Sequence, residues 1–180
     1  MTTAAVADPA PAPLMPPVPR LARLLWLAIA AAAWGSVVVA VGLQHLAALD
    51  PCPMCILQRY AHLAVGALAL AAALTAGPWR RLAGVAALAA AFGGVAVGSQ
   101  HVWMQQNPLL ANCSRRLFQL VNESLPAQWL PSVFRGAGDC LATDWTLLGL
   151  TMPAWSLVLC CAYLVAAWPA LVMPLPAERR

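Results

Sequence analysis

Residues 51–76 read PCPMCILQRYAHLAVGALALAAALTA, and this stretch decides the fold. It opens with Cys52 and Cys55, two thiols whose spacing allows a small disulfide, and it continues from Ala61 without a charged residue. A soluble redox domain would place such a pair beside a strand–helix unit. An apolar run of this length instead matches a helix that crosses a bilayer. The stretch therefore predicts a dithiol held at a membrane surface.

The composition of the chain argues against a soluble protein. Of its 180 residues, 62% are hydrophobic and only 9% are charged, whereas an ordinary soluble domain has about 25% charged residues. Its positive residues are all arginines, and no basic patch alternates with aromatic side chains. The composition therefore does not favour nucleic-acid binding.

Four stretches have the roughly 20 apolar residues that a transmembrane helix needs. The predicted spans are about residues 24–46, 55–76, 82–103 and 153–173. Because the second and third runs are rich in Ala, Leu and Gly and do not alternate with polar residues, they favour helices over the strands of a barrel. The predicted fold class is an all-α membrane protein, a four-transmembrane-helix bundle with a short first and a long second periplasmic loop.

The arginines predict the orientation of this bundle. Three pairs of them flank the predicted spans on one side: Arg20 and Arg23, Arg80 and Arg81, and Arg179 and Arg180. The positive-inside rule makes that side the cytoplasm, with both termini there. The loops that carry the cysteine pairs then face the periplasm, an oxidising compartment in which disulfides persist. We expect a multi-pass protein of the bacterial inner membrane.

Outside the spans the chain is predicted to form tails and one long loop. Residues 1–20 hold six prolines and no apolar run, so a disordered cytoplasmic tail is expected there. The membrane domain is expected at 21–174, with a redox loop at 104–152 and a second cytoplasmic tail at 175–180. The first apolar stretch is too long for the apolar region of a signal peptide, so we expect a retained helix.

The first cysteine pair shares a helix face with an arginine. Pro51 ends any helix that arrives from the first span, and Cys55 falls in the first turn of the second, where the helix dipole favours a thiolate. Arg59 lies four residues further on and therefore on the same face. An arginine within an apolar span usually marks a functional site. The pattern favours redox chemistry beside a lipid-soluble ligand over a structural Cys52–Cys55 bridge.

Cys113 and Cys140 make a second pair, in the long loop. By themselves they predict either a bridge that ties the loop or one that exchanges with partner thiols. The loop holds several Pro and Gly residues and little apolar sequence, so we expect no packed domain for a bridge to staple. Considered together with the first pair, the second pair favours a relay in which disulfide exchange links the two pairs. Cys160 and Cys161 lie deep in the fourth span and are expected to act as small apolar residues.

The three histidines have different predicted roles. His101 lies at the outer end of the third span, level with Arg59, and we expect it to line a ligand pocket. His45 and His62 are expected to be packing residues. None of the three stands in metal-ligand spacing with the cysteines, so the sequence predicts no metal site.

Several of these residues together resemble the DsbB family, inner-membrane proteins that reoxidise the periplasmic dithiol oxidase DsbA with quinone. The resemblance covers nearly all of the chain after residue 20. It is carried by Gln44-His45, by Cys52-Pro53-Met54-Cys55 with Arg59, by His101, by Gly138-Asp139-Cys140 and by the run WTLLGLTMP at 145–153.

The resemblance implies a catalytic part for all four loop cysteines, as the disulfides Cys52–Cys55 and Cys113–Cys140. A DsbA-type partner would attack Cys113, the freed Cys140 would attack Cys52, and Cys55 would pass electrons to ubiquinone or menaquinone. The quinone-binding residues implied are Arg59 and His101. One departure is Gln58, which stands before the arginine where well-known members have an acid.

Two other interpretations remain open from the sequence, and a third is not favoured. A DsbB-like relative can serve a dedicated thiol oxidase rather than DsbA. A four-helix assembly subunit can carry disulfides that only stiffen its loops. A metal-handling protein would need clustered cysteine and histidine ligands, which the sequence spacing does not provide.

Overall fold

The computed structural model describes residues 18–109, 113–143 and 145–172. The predicted tail at 175–180 and most of the tail at 1–20 lie outside these residues. Residues 18–20 are the exception, because the first helix already begins at Val18.

The architecture is a bundle of four long helices. They are α1 (Val18–Leu46), α2 (Pro53–Leu74), α3 (Gly77–Gln106) and, after a folded loop, α7 (Met152–Val172). Each is long and apolar enough to cross a membrane. The predicted fold class, a helical membrane protein with four spans, is confirmed.

The loop between α3 and α7 contains ordered, packed structure. It holds three short helices, α4 (Arg115–Asn122), α5 (Leu125–Trp129) and α6 (Pro131–Phe134), and a two-stranded hairpin, β1 (Thr146–Leu147) and β2 (Leu150–Thr151). Leu148 and Gly149 form the hairpin turn, with φ of 53° and 78°, as a two-residue turn of this kind requires. The expectation that this loop has no packed structure is wrong, because α4 packs on α2 and buries Val121.

Prolines set the helix starts. Pro53 occupies the first turn of α2, where its missing N–H is not needed. Pro78 does the same for α3, which begins at Gly77 rather than near residue 82. Arg80 and Arg81 therefore lie in the first turns of α3 and not in the connection where the sequence analysis placed them.

The helices surround a core made mostly of alanines, with Trp26 fully buried among them. Neighbours run α1, α2, α3 and α7, and α7 returns to α1 to close the ring. Glycines allow α3 and α7 to approach closely. A Cβ at Gly94 would lie 2.6 Å from the Cys160 sulfur, and one at Gly98 would lie 3.1 Å from the Cβ of Leu157.

A second buried cluster lies where α2 begins and α3 ends. We call this the cysteine end of the bundle, defined by Cys52, Met54, Met104 and Cys140. The folded loop covers it, and the candidate site is built there.

Candidate active site

The first cysteine pair lies at the start of α2, with both residues as thiols. Cys52 is the N-cap, and its sulfur accepts a hydrogen bond from the Cys55 backbone N–H at 3.3 Å. The Cys52 thiol donates to the Cys55 sulfur, also at 3.3 Å. This donated hydrogen bond, together with burial, raises the pKa of Cys52. Cys52 therefore keeps its proton, and Cys55 is the sulfur on which negative charge is stabilised.

Arg59 is fixed one turn after Cys55. Its side chain is only 6% exposed, and one terminal nitrogen donates to Gln44 Oε1 at 2.8 Å. The other donates to the backbone oxygen of Val133 in the folded loop. The guanidinium thus links α1, α2 and α6, and its positive charge acts on both cysteines of the pair.

The loop that carries the second cysteine pair is docked on the loop that carries the first. The backbone N–H groups of Ala137 and Gly138 donate to Pro51 O at 2.9 and 3.1 Å. The missing side chain of Gly136 is needed for this approach, since a Cβ there would lie 2.9 Å from the Pro53 nitrogen. Asn122 fixes the same glycine by accepting from its N–H and donating to its oxygen, at 2.8 and 2.9 Å.

Docking buries Cys140 completely in the cluster that contains Cys52. A disulfide joins Cys140 to Cys113, with the two Cα atoms 6.0 Å apart. Cys113 is only half-buried, so a thiol from outside has better access to it than to Cys140. The two pairs are therefore neighbours, and the outer one presents one sulfur toward the surface.

His101 lies between the two pairs. Its side chain is 1% exposed, and its Nε2 lies 3.1 Å from Cys140 O and 3.6 Å from Cys52 Sγ. These residues have no metal-ligand spacing along the sequence, but the fold brings three possible ligands together. The ligand atoms of Cys52, Cys55 and His101 all lie within 4.8 Å of one another.

A cavity of about 660 Å³ opens beside the first pair. Its walls are mostly apolar, and its polar lining includes Cys55, Arg59, His101 and, one helical turn deeper, His62. A cavity of this size with few polar groups is typical of a site for a small organic molecule. Because Cys55 and Arg59 lie on its wall, the bound molecule would contact both the electron-rich sulfur and the fixed cation.

His62 makes contacts within the bundle. Its Nε2 lies 2.9 Å from Ser156 Oγ of α7, and its ring packs edge-on against Tyr163. Of the two cysteines of α7, Cys160 is buried with its sulfur 4.0 Å from His62 Nε2, and Cys161 is exposed. Neither cysteine belongs to the cluster at the cysteine end.

Several residues that position the site could not be identified from the sequence. Asn122 carries no local signal that separates it from a solvated asparagine. The same holds for Tyr60, which stacks on Phe134 at 5.3 Å between ring centroids and whose hydroxyl lies 3.0 Å from Ser124 Oγ. Gln44 is part of the motif that carries the resemblance, but its role as acceptor for Arg59 depends on the packing of α1 on α2.

Comparison with known proteins gives a consistent result. The family model described as "Disulfide bond formation protein DsbB" matches residues 22–170. A "Disulfide bond formation protein B" of Azoarcus sp. (strain BH72) is 42% identical over 156 residues, which cover 84% of this chain and 93% of the relative. That of Aromatoleum aromaticum is 41% identical over 157 residues, 84% of this chain and 92% of the relative. That of Verminephrobacter eiseniae is 44% identical over 126 residues, 68% and 70% of the two chains.

Proposed function

The chain belongs to the DsbB family of disulfide bond formation proteins, and from that premise we propose that it reoxidises a periplasmic DsbA-type thiol oxidase and passes the electrons to membrane quinone. The family makes it a membrane-embedded disulfide oxidoreductase. The proposal adds the partner, the electron acceptor and the residues of the path between them.

The observation that carries the proposal is the docking of Cys140 beside Cys52. A partner thiolate would attack the accessible Cys113, form a mixed disulfide and release Cys140 as a thiolate. Cys140 would then attack Cys52 of the oxidised first pair and release Cys55. Each attack forms one S–S bond and breaks another, so no electrons leave the protein at this stage.

The cycle closes when the original bridges form again. The partner's second thiol resolves the mixed disulfide and leaves with its own disulfide, which frees Cys113. Cys113 attacks Cys140 in the Cys52–Cys140 bridge and restores the loop disulfide. The first pair then remains as the dithiol that the structure describes, and it holds the two electrons taken from the partner.

Cys55 and Arg59 are suited to deliver these electrons to a quinone in the cavity. Both sulfurs line the cavity, and because Cys52 donates its thiol hydrogen to Cys55, negative charge is better stabilised on Cys55. Arg59 uses two N–H groups on Gln44 and Val133, and its other donors have no partner among the described residues, so they can hold a carbonyl oxygen. His101 lines the same cavity and is the second proposed quinone-binding residue. The substrate, ubiquinone or menaquinone, takes up two electrons and two protons while the Cys52–Cys55 bridge forms.

We further infer that the cysteine end faces the periplasm of a bacterial inner membrane. The Arg23 side chain donates to the oxygen of Ala73, near the end of α2 opposite Cys52. Arg80 lies close enough to Arg23 for the two positive charges to repel each other. Arg20, Arg23, Arg80 and Arg81 thus lie near the starts of α1 and α3, at the end of the bundle opposite Cys52. Beside a short connection such charges favour the cytoplasmic side under the positive-inside rule.

The test combines the purified protein in detergent with a reduced DsbA-type protein and either ubiquinone or menaquinone, and follows quinone absorbance. We expect the wild type and a Cys161→Ser control to reduce the quinone, because Cys161 lies away from the path. Cys55→Ser should abolish the reaction. If the wild type does not reduce either quinone, the proposed function is wrong. If Cys55→Ser is as active as the control, the electron path is wrong.

A further inference from the structure

We propose that the dithiol form of this protein binds a thiophilic divalent cation, Zn²⁺, through Cys52, Cys55 and His101 at the cysteine end. This goes beyond the proposed function, which involves no metal. The two sulfurs and the ring nitrogen come from α2 and its N-cap and from α3, and they converge within 4.8 Å.

Two of the three distances between the ligand atoms are close to those around a tetrahedral ion, and the third, from Cys55 Sγ to the His101 ring nitrogen, is within 4.8 Å. Zn²⁺ binds thiolate sulfur at about 2.3 Å and imidazole nitrogen at about 2.0–2.1 Å, which in a tetrahedron separates two sulfurs by about 3.8 Å and sulfur from nitrogen by about 3.6 Å. Here Cys52 Sγ lies 3.3 Å from Cys55 Sγ and 3.6 Å from His101 Nε2. The sulfur–sulfur distance thus needs to grow by only about half an ångström.

The surroundings leave room for a fourth ligand and a usable histidine tautomer. Three protein ligands leave one position open, as in catalytic zinc sites, and all three residues line the cavity from which water would fill it. Binding requires the His101 tautomer with Nδ1 protonated, since Nε2 must offer its lone pair. Nδ1 is buried without a hydrogen-bond partner among the described residues, so this change of tautomer costs free energy and weakens the binding. His101 would then give up its contact with Cys140 O, so the ion would also loosen the docked second pair.

Charge and proton balance make the site specific for the reduced form. The ion displaces the thiol protons to the buffer, and two thiolates balance its two positive charges. A Cys52–Cys55 disulfide offers no thiolate and should not bind. The charge of Arg59, which acts on both sulfurs, opposes the cation, so we expect weaker binding than at a structural site with four protein ligands. Only the consequence for turnover rests on the proposed function: sulfurs held by the ion cannot reduce a quinone.

The direct test uses Cd²⁺, whose bonds to thiolates give an ultraviolet absorption band. The background variant keeps only the first pair, through the substitutions Cys113→Ser, Cys140→Ser, Cys160→Ala and Cys161→Ala. We expect one Cd²⁺ per reduced protein, displaced by Zn²⁺, and no band after oxidation. His101→Ala should weaken binding at least about tenfold, since even losing an outer-shell partner costs that much. His45→Ala, an exposed histidine on α1, should bind as the background does.

Two results would overturn the proposal. One is His101→Ala binding Cd²⁺ as tightly as His45→Ala, because the dithiol alone would then explain the band. The other is equal binding by the oxidised protein. If the background variant with its four substitutions does not fold, the test instead measures the zinc that the wild-type chain retains after gel filtration. The reduced form should hold more zinc than the oxidised form, and His101→Ala should lose that excess. Equal retention would refute the idea. No quinone or thiol oxidase is present, so these results stand whether or not the proposed function holds.

Discussion

Adding one methyl group at Gly138 should separate the two cysteine pairs. A Cβ there would lie 2.9 Å from the carbonyl carbon of Asp50 and 3.3 Å from that of Pro51. Both neighbours are backbone atoms, so no side-chain rotation can relieve the contact. The φ of Gly138 is not positive, so alanine suits the local backbone and the contact alone decides the outcome.

The size of the effect follows from the hydrogen bonds that docking makes. Moving the loop away from the contact lengthens the bonds from the N–H groups of Ala137 and Gly138 to Pro51 O, now 2.9 and 3.1 Å. Two such bonds are worth about 1–3 kcal/mol together. Gly138→Ala should therefore weaken docking roughly 5- to 150-fold.

The assay measures the effective concentration of Cys140 at Cys52. With Cys55→Ser and Cys113→Ser in place, these two sulfurs are the remaining exchange partners at the cysteine end. The protein is equilibrated in glutathione buffers, quenched by alkylation, and scored for the Cys52–Cys140 bridge by mass spectrometry. The effective concentration should fall by the factor given above when Gly138→Ala is added.

The matched control places the same methyl group on the outside of the bundle. Gly93 faces outward on α3, and a Cβ there meets nothing within 4 Å among the described residues. Gly93→Ala should leave the effective concentration unchanged. If Gly138→Ala behaves like this control, the backbone contact with Pro51 does not hold the pairs together, and the reasoning fails.

Three further predictions concern the residues that hold the site. Asn122→Ala removes both bonds to Gly136, so hydrogen exchange measured by mass spectrometry at residues 136–140 should accelerate roughly 5- to 150-fold. Asn107→Ala, whose side chain bonds only to its own helix, is the control. Gln44→Leu removes the side-chain oxygen that accepts a hydrogen bond from Arg59. Single-turnover quinone reduction should therefore slow about tenfold or more, while disulfide exchange with the partner is unchanged. Slowing of both reactions would contradict this role for Gln44. Because the pKa of Cys52 is raised, its thiolate forms only at higher pH. Peptide mapping after iodoacetamide treatment should therefore find the label on Cys55 below about pH 9, with Cys52 labelling rising as pH increases; equal labelling of both at neutral pH would disprove the assignment.

The sequence predicted the helices well because hydrophobicity and helix length are local properties. All four predicted spans fall largely within observed helices, and the main error concerns α3. The third span was predicted to begin at about residue 82, yet Pro78 fits within the first turn and lets α3 start at Gly77. The packing of the folded loop was not predicted because α4 depends on packing against α2, with Val121 buried, and a short helix has little stability of its own.

In the candidate site, too, contacts within one helix could be predicted from the sequence, and contacts between distant segments could not. Cys55 and Arg59 could be paired from the sequence because a helix brings residues i and i+4 to one face. His101 could be placed only at the level of Arg59. Its contacts with Cys52 and Cys140 join α3, α2 and the loop, and no spacing along the chain encodes such distances.

The sequence by itself therefore determined the membrane setting, the four helices, the dithiol beside an arginine and the family. Composition, periodicity and short-range spacing suffice for these. Only the tertiary structure decided that Cys140 shares one buried cluster with Cys52, that Asn122 and the loop glycines hold the loop there, and that His101 completes a three-ligand cluster with the first pair. Those contacts join segments distant along the chain, and their geometry is set by how the helices and the loop pack.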